Sequence, residues 1–303
     1  MSVVPAWIAV DWGTTRLRAW AMNSSGLALA ETATEDGMGG LAPHDFEPAL
    51  IQAVDPWLRK ANTPILACGM VGARQAWHEV GYLAVPITPG ALVPVRVPDT
   101  DHRIRLWILP GLCQDEPADV MRGEETQIAG FLVDRPEFDG VLCLPGTHSK
   151  WVRISAGEVV SFQTAMTGEM YQLFHDHSVI RHTLRGAGAP DHEAFDQAVS
   201  DMISRPEKLT QKLFSIRAEA VLDARSPAAA RSTLSGLLIG AELAATRAYW
   251  LGHAIVVAGA PALAAHYGRA LASQGANAEV LDAGPLTRRG LAAAFAAMSE
   301  TTP

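Results

Sequence analysis

The feature that most constrains this chain is a pattern that occurs twice, at residues 7–20 and again at residues 141–153. Each copy contains a short apolar run, a Gly-Thr turn, a basic residue and a second run that includes a tryptophan. Apolar runs on either side of a glycine turn predict the two strands of a β-hairpin. A Gly-Thr pair often occurs by chance, but its recurrence with both flanking strands predicts a duplicated hairpin in the two halves of the chain.

The turn of the first copy has the composition of a phosphate-binding hairpin. Backbone N–H groups of Gly13, Thr14 and Thr15 can surround phosphate oxygens, as turn amides do in anion-binding nests. Asp11 lies at the edge of this turn, where a carboxylate can hold Mg²⁺ through water. An ordinary hairpin with an acid at its turn explains the same residues, so this stretch alone leaves both interpretations open.

The second copy keeps the turn but lacks the acid. Alignment of Gly13-Thr14 with Gly146-Thr147 places Leu144 opposite Asp11. The second hairpin therefore offers turn amides and the basic residue Lys150, but no carboxylate before the turn.

Composition narrows the class of ligand. The 303 residues are 49% hydrophobic, enough for two domains of ordinary size, and the formal net charge is −8. The chain has no Lys/Arg run, so we expect a small ligand whose phosphates are bound locally, with neither nucleic acid nor membrane as a partner. Three widely spaced cysteines suggest neither a disulfide framework nor a zinc site, and the N-terminus lacks the features of a signal peptide. We therefore expect a cytoplasmic protein, and a homodimer is left open.

The remaining pattern alternates strands and helices, which predicts an α/β fold. Residues 64–68 read as a strand that runs into a glycine-punctuated loop at residues 69–77, which includes Met70. Loops at the carboxyl ends of strands carry ligand-binding groups in open α/β sheets, although a plain strand-to-helix turn accounts for this one as well. A polar stretch at residues 134–139 marks the boundary between domains 1–134 and 135–303.

Residues 121–133 predict a helix that begins with an arginine and two acids. Glu124 and Glu125 lie in its first turn, where the helix dipole favours negative charge, so capping is one explanation. Arg122 favours a second explanation, because an arginine beside acids can bind a carboxylate or phosphate in a bidentate manner. Further along the chain, Glu169 accompanies a glycine at the start of another predicted helix, and Gly259-Ala260 end a buried strand before a helix.

Several segments together resemble a known enzyme family. The order of first hairpin, acidic helix, second hairpin and strand ending in AGA is similar to that of the acetate and sugar kinase, heat-shock ATPase and actin superfamily. Within that superfamily, six segments spread over nearly the whole chain resemble the 2-dehydro-3-deoxygalactonokinases. They are DWGTTRLRAW, PGLC, MRGEETQ, PGTHSKW, MTGE and LSGLLIGAE.

The resemblance implies an α/β fold of two ribonuclease-H-like (actin-like ATPase) domains with a nucleotide and sugar cleft between them. It also implies ATP with Mg²⁺, and phosphorylation of 2-dehydro-3-deoxy-D-galactonate on its terminal (6-) hydroxyl. The superfamily's second hairpin usually starts with an aspartate, which Leu144-Pro145 replace here, so metal binding is expected mainly at Asp11.

Roles for the individual residues follow from what phosphoryl transfer requires, which is positioning and positive charge around the phosphates. Neighbouring residues on a helix point about 100° apart, so only one glutamate should face the substrate. We predict that Asp11, Glu124 and Glu125 are the catalytic residues, with one of the two glutamates as the base and Glu124 preferred over Glu125. We expect substrate contacts from Arg122, Arg18, Met70 and Glu169. We expect phosphate or nucleotide contacts from Gly13, Thr14, Thr15, Gly146, Thr147, His148, Lys150, Gly259 and Ala260.

Alternatives to this function differ in chemistry. His148 could form a phosphorylated intermediate, but direct in-line transfer is simpler. A kinase of another sugar or sugar acid would use the same hairpins, and so would a non-metabolic actin-like nucleotide switch. Such switches carry long insertions or a peptide-binding domain, which this chain lacks. A P-loop kinase is excluded because the sequence contains no Gly-Lys pair.

Overall fold

A computed structural model describes residues 3–223 and 225–301 as an alternation of strands and helices. The strands are β1 (Trp7–Trp12), β2 (Leu17–Met22), β3 (Ala28–Thr34), β4 (Thr63–Gly69), β5 (Tyr82–Ala84), β6 (Val95–Arg96), β7 (Ile104–Ile108), β8 (Gly111–Gln114), β9 (Asp119–Met121), β10 (Gly140–Leu144), β11 (Ser149–Ser155), β12 (Glu158–Ala165), β13 (Ile255–Gly259) and β14 (Ala278–Asp282). The helices are α1 (Phe46–Val54), α2 (Glu124–Asp134), α3 (Thr167–Asp176), α4 (Arg181–Leu184), α5 (His192–Ser204), α6 (Leu209–Leu222), α7 (Pro227–Ala245), α8 (Arg247–Trp250), α9 (Pro261–Ser273) and α10 (Gly284–Thr301).

The chain divides into two compact units. The first contains the chain up to Phe138, residues 155–161 and the C-terminal segment from Ala283. The second contains residues 139–154 and 162–282. The domain boundary between residues 134 and 135 stays a prediction. The two compact units differ from it mainly because the last helix belongs to the first unit.

The two units repeat one sheet topology. In the first unit the main sheet has the order β3-β2-β1-β4-β7-β6, and in the second the order is β12-β11-β10-β13-β14. The central strand of each sheet, β1 or β10, pairs antiparallel with the next strand in the chain and parallel with a later one. The duplicated hairpins predicted from the sequence are therefore confirmed. A small third sheet, β5-β8-β9, belongs to the first unit.

Burial of the central strands explains why their sequences are continuously apolar. Strand β13 is buried at every residue, as is β10, and β1 is buried except at Asp11. Strands covered on both faces lose the alternation of apolar and polar residues that an exposed face would impose. Among the residues that the structure describes, no helix is both long and apolar enough to cross a membrane.

The last helix, α10, packs against α2 at a crossing made by two glycines. A Cβ atom on Gly130 would lie 2.0 Å from the carbonyl oxygen of Leu286, and one on Gly290 would lie 1.9 Å from that of Thr126. Neither position can hold a side chain at this separation, so glycine permits the close approach of the two helices. The ring of Phe295 also stacks on Trp7 with centroids 4.2 Å apart. The helix predicted at residues 286–298 is present, and it completes the core of the first unit.

Two predicted helix boundaries were wrong. The helix expected at residues 121–133 begins at Glu124, because Met121 belongs to β9 and Gly123 has a positive φ of 107° that interrupts the helix. The helical spacing of Phe46, Leu50, Val54, Trp57 and Leu58 predicts a helix over residues 46–60. In the structure this helix ends at Val54, where Pro56 follows in a short 3-10 turn.

Candidate active site

The first hairpin holds Asp11 between two neighbours. Residues Asp11 and Arg18 are cross-strand partners of β1 and β2, and the Arg18 guanidinium donates to a carboxylate oxygen of Asp11. On its other side, Oδ1 of Asp11 lies 3.9 Å from the Sγ atom of Cys68. The Asp11 side chain is 16% exposed, so its carboxylate is oriented by the protein yet still reaches the surface.

The turn of this hairpin differs from the predicted nest at one residue. The N–H group of Gly13 donates to the carbonyl oxygen of Arg16 at 2.9 Å, so this amide closes the turn. Thr14 and Thr15 are exposed beyond it. A phosphate contact of the Gly13 amide would therefore compete with the bond that forms the turn.

A glycine-rich segment, residues 37–39, packs against the backbone of the first turn. The N–H of Gly39 donates to the carbonyl oxygen of Thr14 at 2.9 Å, and a Cβ on Gly37 would lie 2.2 Å from the carbonyl carbon of Thr15. Residues 37–39 look like an ordinary loop in the sequence. Their backbone instead supports the turn.

Arg122 is held inside the first unit. Only 9% of the residue is exposed, its Nη2 donates to the Val80 carbonyl oxygen at 2.6 Å, and its guanidinium lies 4.3 Å from the centre of the Tyr82 ring. Its Nη1 is buried without a hydrogen-bond partner, close to Gly72. Because Nη2 is already used, the guanidinium does not present the two-nitrogen fork that a bidentate carboxylate contact requires.

The two adjacent glutamates have different environments. Glu124 is half-buried, and its Oε2 accepts from the N–H of Arg122 at 3.1 Å. Glu125 is fully buried, and its Oε2 and Oε1 accept from the Gly123 N–H at 2.6 Å and the Thr126 hydroxyl at 3.0 Å. Burial, assisted by the charge of Glu124, raises the pKa of Glu125 from its ordinary value of 4.5 to about 8. Of the two, only Glu124 is accessible to a substrate in this conformation.

Cys68, which was not selected from the sequence, lies between these groups. It is fully buried, and its pKa is well above the ordinary value because of burial and the nearby carboxylates of Asp11 and Glu125. The next residue, Gly69, ends β4 and Met70 begins the loop after it, and a Cβ on Gly123 would lie 3.4 Å from Gly69 Cα. The structure thus brings β1, the loop after β4 and the start of α2 together in the first unit.

The second hairpin pairs its basic residue with an apolar one. Lys150 on β11 is the cross-strand partner of Leu144 on β10, it is 3% exposed, and its Nζ donates to the His148 carbonyl oxygen at 3.5 Å. His148 is exposed, and its Nε2 lies 2.6 Å from the Oε2 of Glu169. The structure therefore brings together His148 and Glu169, for which we expected contacts with different ligands.

A glycine also braces the second turn. A Cβ on Gly168, in the first turn of α3, would lie 2.2 Å from the carbonyl oxygen of Gly146, and the Glu169 N–H donates to the Thr147 carbonyl oxygen at 2.9 Å. The start of α3 therefore packs directly on the Gly-Thr turn. In both units, backbone contact by a glycine supports the turn of the hairpin.

The second unit contains a cavity of about 810 Å³ that begins at this turn. Its walls are Gly146 and Thr147 of the turn, with residues from α3, α7 and α9. Gly259 packs against Pro145 of the hairpin instead, since a Cβ on it would lie 3.3 Å from Pro145 Cδ. Among the described residues, the wall from α9 begins at Ala262, two residues after Ala260.

Glu242 is a second residue that the sequence did not single out. It is 4% exposed on α7, and its carboxylate accepts from the Trp151 indole N–H and from the Tyr267 hydroxyl, each at 2.7 Å. Burial raises its pKa, while hydrogen bonds from Thr167, Trp151, Tyr267 and Ser149 oppose that effect. In the sequence, the small residues around it indicate only a tightly packed helix.

The family is decided by comparison with known proteins. The sequence model of the 2-keto-3-deoxy-galactonokinase family matches residues 11–294. The chain belongs to this family. A 2-dehydro-3-deoxygalactonokinase from Escherichia coli K12 is 36% identical over 278 aligned residues, covering 89% of this chain and 91% of the relative. A protein from Rhizobium meliloti strain 1021, named as a probable 2-dehydro-3-deoxygalactonokinase, is 39% identical over 308 aligned residues. The alignment covers 98% of this chain and 99% of the relative.

Solved structures agree with the family and the fold. A crystal structure from Sinorhizobium meliloti, of a protein provisionally assigned the same enzyme name, has a TM-score of 0.87 and 38% identity, covering 96% of this chain and 99% of that one. The activator of 2-hydroxyisocaproyl-CoA dehydratase from Clostridium difficile has a TM-score of 0.51 at 12% identity, with 98% of each chain covered, and shows likeness of fold alone. The predicted family and the α/β actin-like ATPase fold class are confirmed.

Proposed function

We propose that this chain transfers the γ-phosphoryl group of ATP to the terminal (6-) hydroxyl of 2-dehydro-3-deoxy-D-galactonate. The products are ADP and 2-dehydro-3-deoxy-6-phosphogalactonate. Membership of the 2-keto-3-deoxy-galactonokinase family over residues 11–294 is the observation that carries this proposal. The residue roles below rest on the geometry of each unit.

ATP is assigned to the cavity of the second unit. Its volume of about 810 Å³ falls in the range of small-molecule sites, and one end is formed by the Gly146-Thr147 turn. The turn amides and His148 can donate to phosphate oxygens there, and the nearby Lys150 adds positive charge. Gly259 has a supporting role, because its lack of a side chain lets the strand end pack against the hairpin at Pro145.

Asp11 is suited to holding Mg²⁺ as part of a shared coordination shell. Among the described residues, no group of three His, Cys, Asp or Glu side chains is arranged to hold a metal ion. A single partly exposed carboxylate fits Mg²⁺, which keeps several waters and takes one or two carboxylates together with phosphate oxygens. When bound, the ion would neutralise charge on the phosphates. Arg18 orients the Asp11 carboxylate and adds a positive charge beside it.

The sugar acid is assigned to the first unit. Arg122 places positive charge beside Gly72, where its Nη1 is buried without a hydrogen-bond partner. We therefore assign the substrate carboxylate to this side of the guanidinium. Reaching it requires the loop at Met70–Gly72 to move, because Nη1 is buried. Glu169 lies in the second unit and is held by His148, and its predicted substrate contact stays a prediction.

Glu124 is the proposed base for the transfer. The terminal hydroxyl oxygen forms a bond to the γ-phosphorus while the bond from that phosphorus to the bridging oxygen breaks, and the electron pair leaves with ADP. The hydroxyl proton passes to the Glu124 carboxylate, which is half-buried and accessible. Glu125 supports this turn of the helix through the Gly123 amide.

An ADP-release assay with purified protein tests the proposal. We expect ADP formation to require the sugar acid and Mg²⁺, and the D-galactonate derivative to give a higher kcat/KM than its C4 epimer. In the ³¹P spectrum of the product, coupling to two methylene protons would identify the terminal hydroxyl as the acceptor. Stimulation by an unrelated sugar and not by this acid would refute the substrate assignment. Predictions of a homodimer and a cytoplasmic location require separate measurements of oligomeric state and of distribution in cells.

A further inference from the structure

We propose that Glu242 is a positioning residue for nucleotide binding, which fixes the second hairpin and the walls of the cavity relative to one another. The inference rests on the proposed function, because it takes the cavity of the second unit as the ATP site. Glu242 does not line this cavity itself, and it would act through the residues bonded to it.

The carboxylate of Glu242 joins three other elements of the second unit. Its Oε1 accepts from Trp151 Nε1 on β11, and its Oε2 accepts from the Tyr267 hydroxyl on α9, each at 2.7 Å. The Ser149 hydroxyl, also on β11, lies 2.8 Å from the Tyr267 hydroxyl, and its single proton can go either to that oxygen or to Glu242. A further hydrogen bond comes from Thr167 at the start of α3.

The donors around Glu242 favour the ionised form of the acid. An indole N–H can only donate, and each hydroxyl group has one proton to give. An ionised carboxylate is an acceptor with about four lone-pair sites, and Trp151, Tyr267 and Thr167 supply three donors to it. A buried charge carries a large desolvation cost that hydrogen bonds must offset, and an apolar residue would fill the same space without that cost. The acid therefore gives this region a defined arrangement of elements rather than simple packing.

The position of Glu242 connects this network to the cavity. Leu238 and Ile239 line the cavity, and Glu242 follows them on α7 by four and three residues, which places it on the same face of the helix. Its partners Thr167 and Tyr267 also line the cavity. Ser149 and Trp151 lie on the strand that leaves the Gly146-Thr147 turn. Strand β11, α3 and α9 are thus each bonded to one carboxylate on α7.

Steady-state kinetics of Glu242→Gln, together with calorimetric titration of ADP, test the inference. The amide keeps the size of the side chain but introduces two N–H donors where Glu242 now accepts from Trp151 and Tyr267. We expect KM for ATP and the dissociation constant for ADP to rise about tenfold, which corresponds to about 1.4 kcal/mol. We expect KM for the sugar acid to change less than about twofold.

Ile216→Ala is the matched control. Ile216 is fully buried on α6 in the same unit, is not among the described residues that line this cavity, and forms none of the hydrogen bonds to Glu242. This variant should lower the melting temperature while KM for ATP stays near the wild-type value. An equal rise of KM for ATP in both variants would show that Glu242 acts only through stability, and would overturn the inference.

Tyr267→Phe provides the same test if Glu242→Gln fails to fold. It removes one hydroxyl from the network and keeps the ring, so we again expect weaker ADP binding with little effect on the sugar acid. ADP affinity within about twofold of wild type in every folded network variant would refute the positioning role. Wild-type protein that binds no ADP would instead refute the proposed function, which distinguishes the two failures.

Discussion

Replacement of Glu125 by glutamine should change how the stability of the protein depends on pH. Glu125 is fully buried in the first turn of α2, and burial together with the charge of Glu124 raises its pKa to about 8 from the ordinary 4.5. Glutamine has the same shape, can still accept from the Gly123 N–H, and does not titrate. The substitution therefore isolates the protonation of one buried group.

The sign of the effect follows from the direction of the pKa change. A raised pKa means that the folded protein binds a proton which the unfolded chain releases above pH 4.5, so this contribution to stability is complete below that pH. It is lost as the pH rises through about 8, at about 1.4 kcal/mol per pH unit. Between pH 4.5 and about 8 the free energy of unfolding falls by about 5 kcal/mol. This value is an upper bound, because the structure around an ionised Glu125 can rearrange.

Denaturant unfolding at pH 5, 6, 7, 8 and 9 measures this difference. We expect the free energy of unfolding of Glu125→Gln, minus that of the wild type, to increase from pH 5 to pH 8 and then level off. Glu158→Gln, at an exposed glutamate, is the control for the effect of the substitution itself. Parallel profiles of Glu125→Gln and wild type would show that Glu125 titrates normally in the folded protein, and would refute the reasoning.

Three other predictions concern the site directly. Glu124→Gln should lower kcat about 10²-fold with little change in KM for ATP, because it removes the accessible base, and a near-normal kcat would return Glu124 to a capping role. Arg122→Lys should raise KM for the sugar acid more than KM for ATP, since lysine cannot reproduce the planar contacts with Val80 and Tyr82; equal changes would argue against a carboxylate contact. Gly168→Ala should weaken ADP binding, because its Cβ would lie 2.2 Å from the Gly146 carbonyl oxygen. Gly40→Ala, where a Cβ meets open space, is the control, and identical ADP affinities in the two variants would contradict the bracing role.

The sequence predicted the parts of the fold that local pattern controls. The apolar runs and the Gly-Thr turns are continuous in the chain, so both hairpins could be recognised, and their register follows once the turns are placed. The environment of Arg122 could not be predicted in this way, because it depends on Val80 and Tyr82, which are distant in sequence.

Distant contacts also explain the residues that were missed. Cys68 reads as the end of a buried strand, and its proximity to Asp11 and Glu125 appears only when β1, β4 and α2 assemble. Glu242 lies among small residues that indicate close helix packing, and the partners of its carboxylate come from strands and helices elsewhere in the chain. The bracing glycines Gly37 and Gly168 likewise carry no local signal of the turn that each one contacts.

The packing of α10 against α2 has a consequence for how the protein folds during synthesis. The first unit lacks its last helix until about 295 residues have left the ribosome, because Phe295 must reach Trp7 and Gly290 must reach Thr126. The second unit, apart from the short segment 155–161, is continuous in the chain and emerges earlier as a whole. We therefore expect the second unit to complete its core first, although translation begins with the first. The apolar face of α2 stays uncovered for most of translation, so a nascent chain stalled before residue 284 should depend on chaperones to remain soluble.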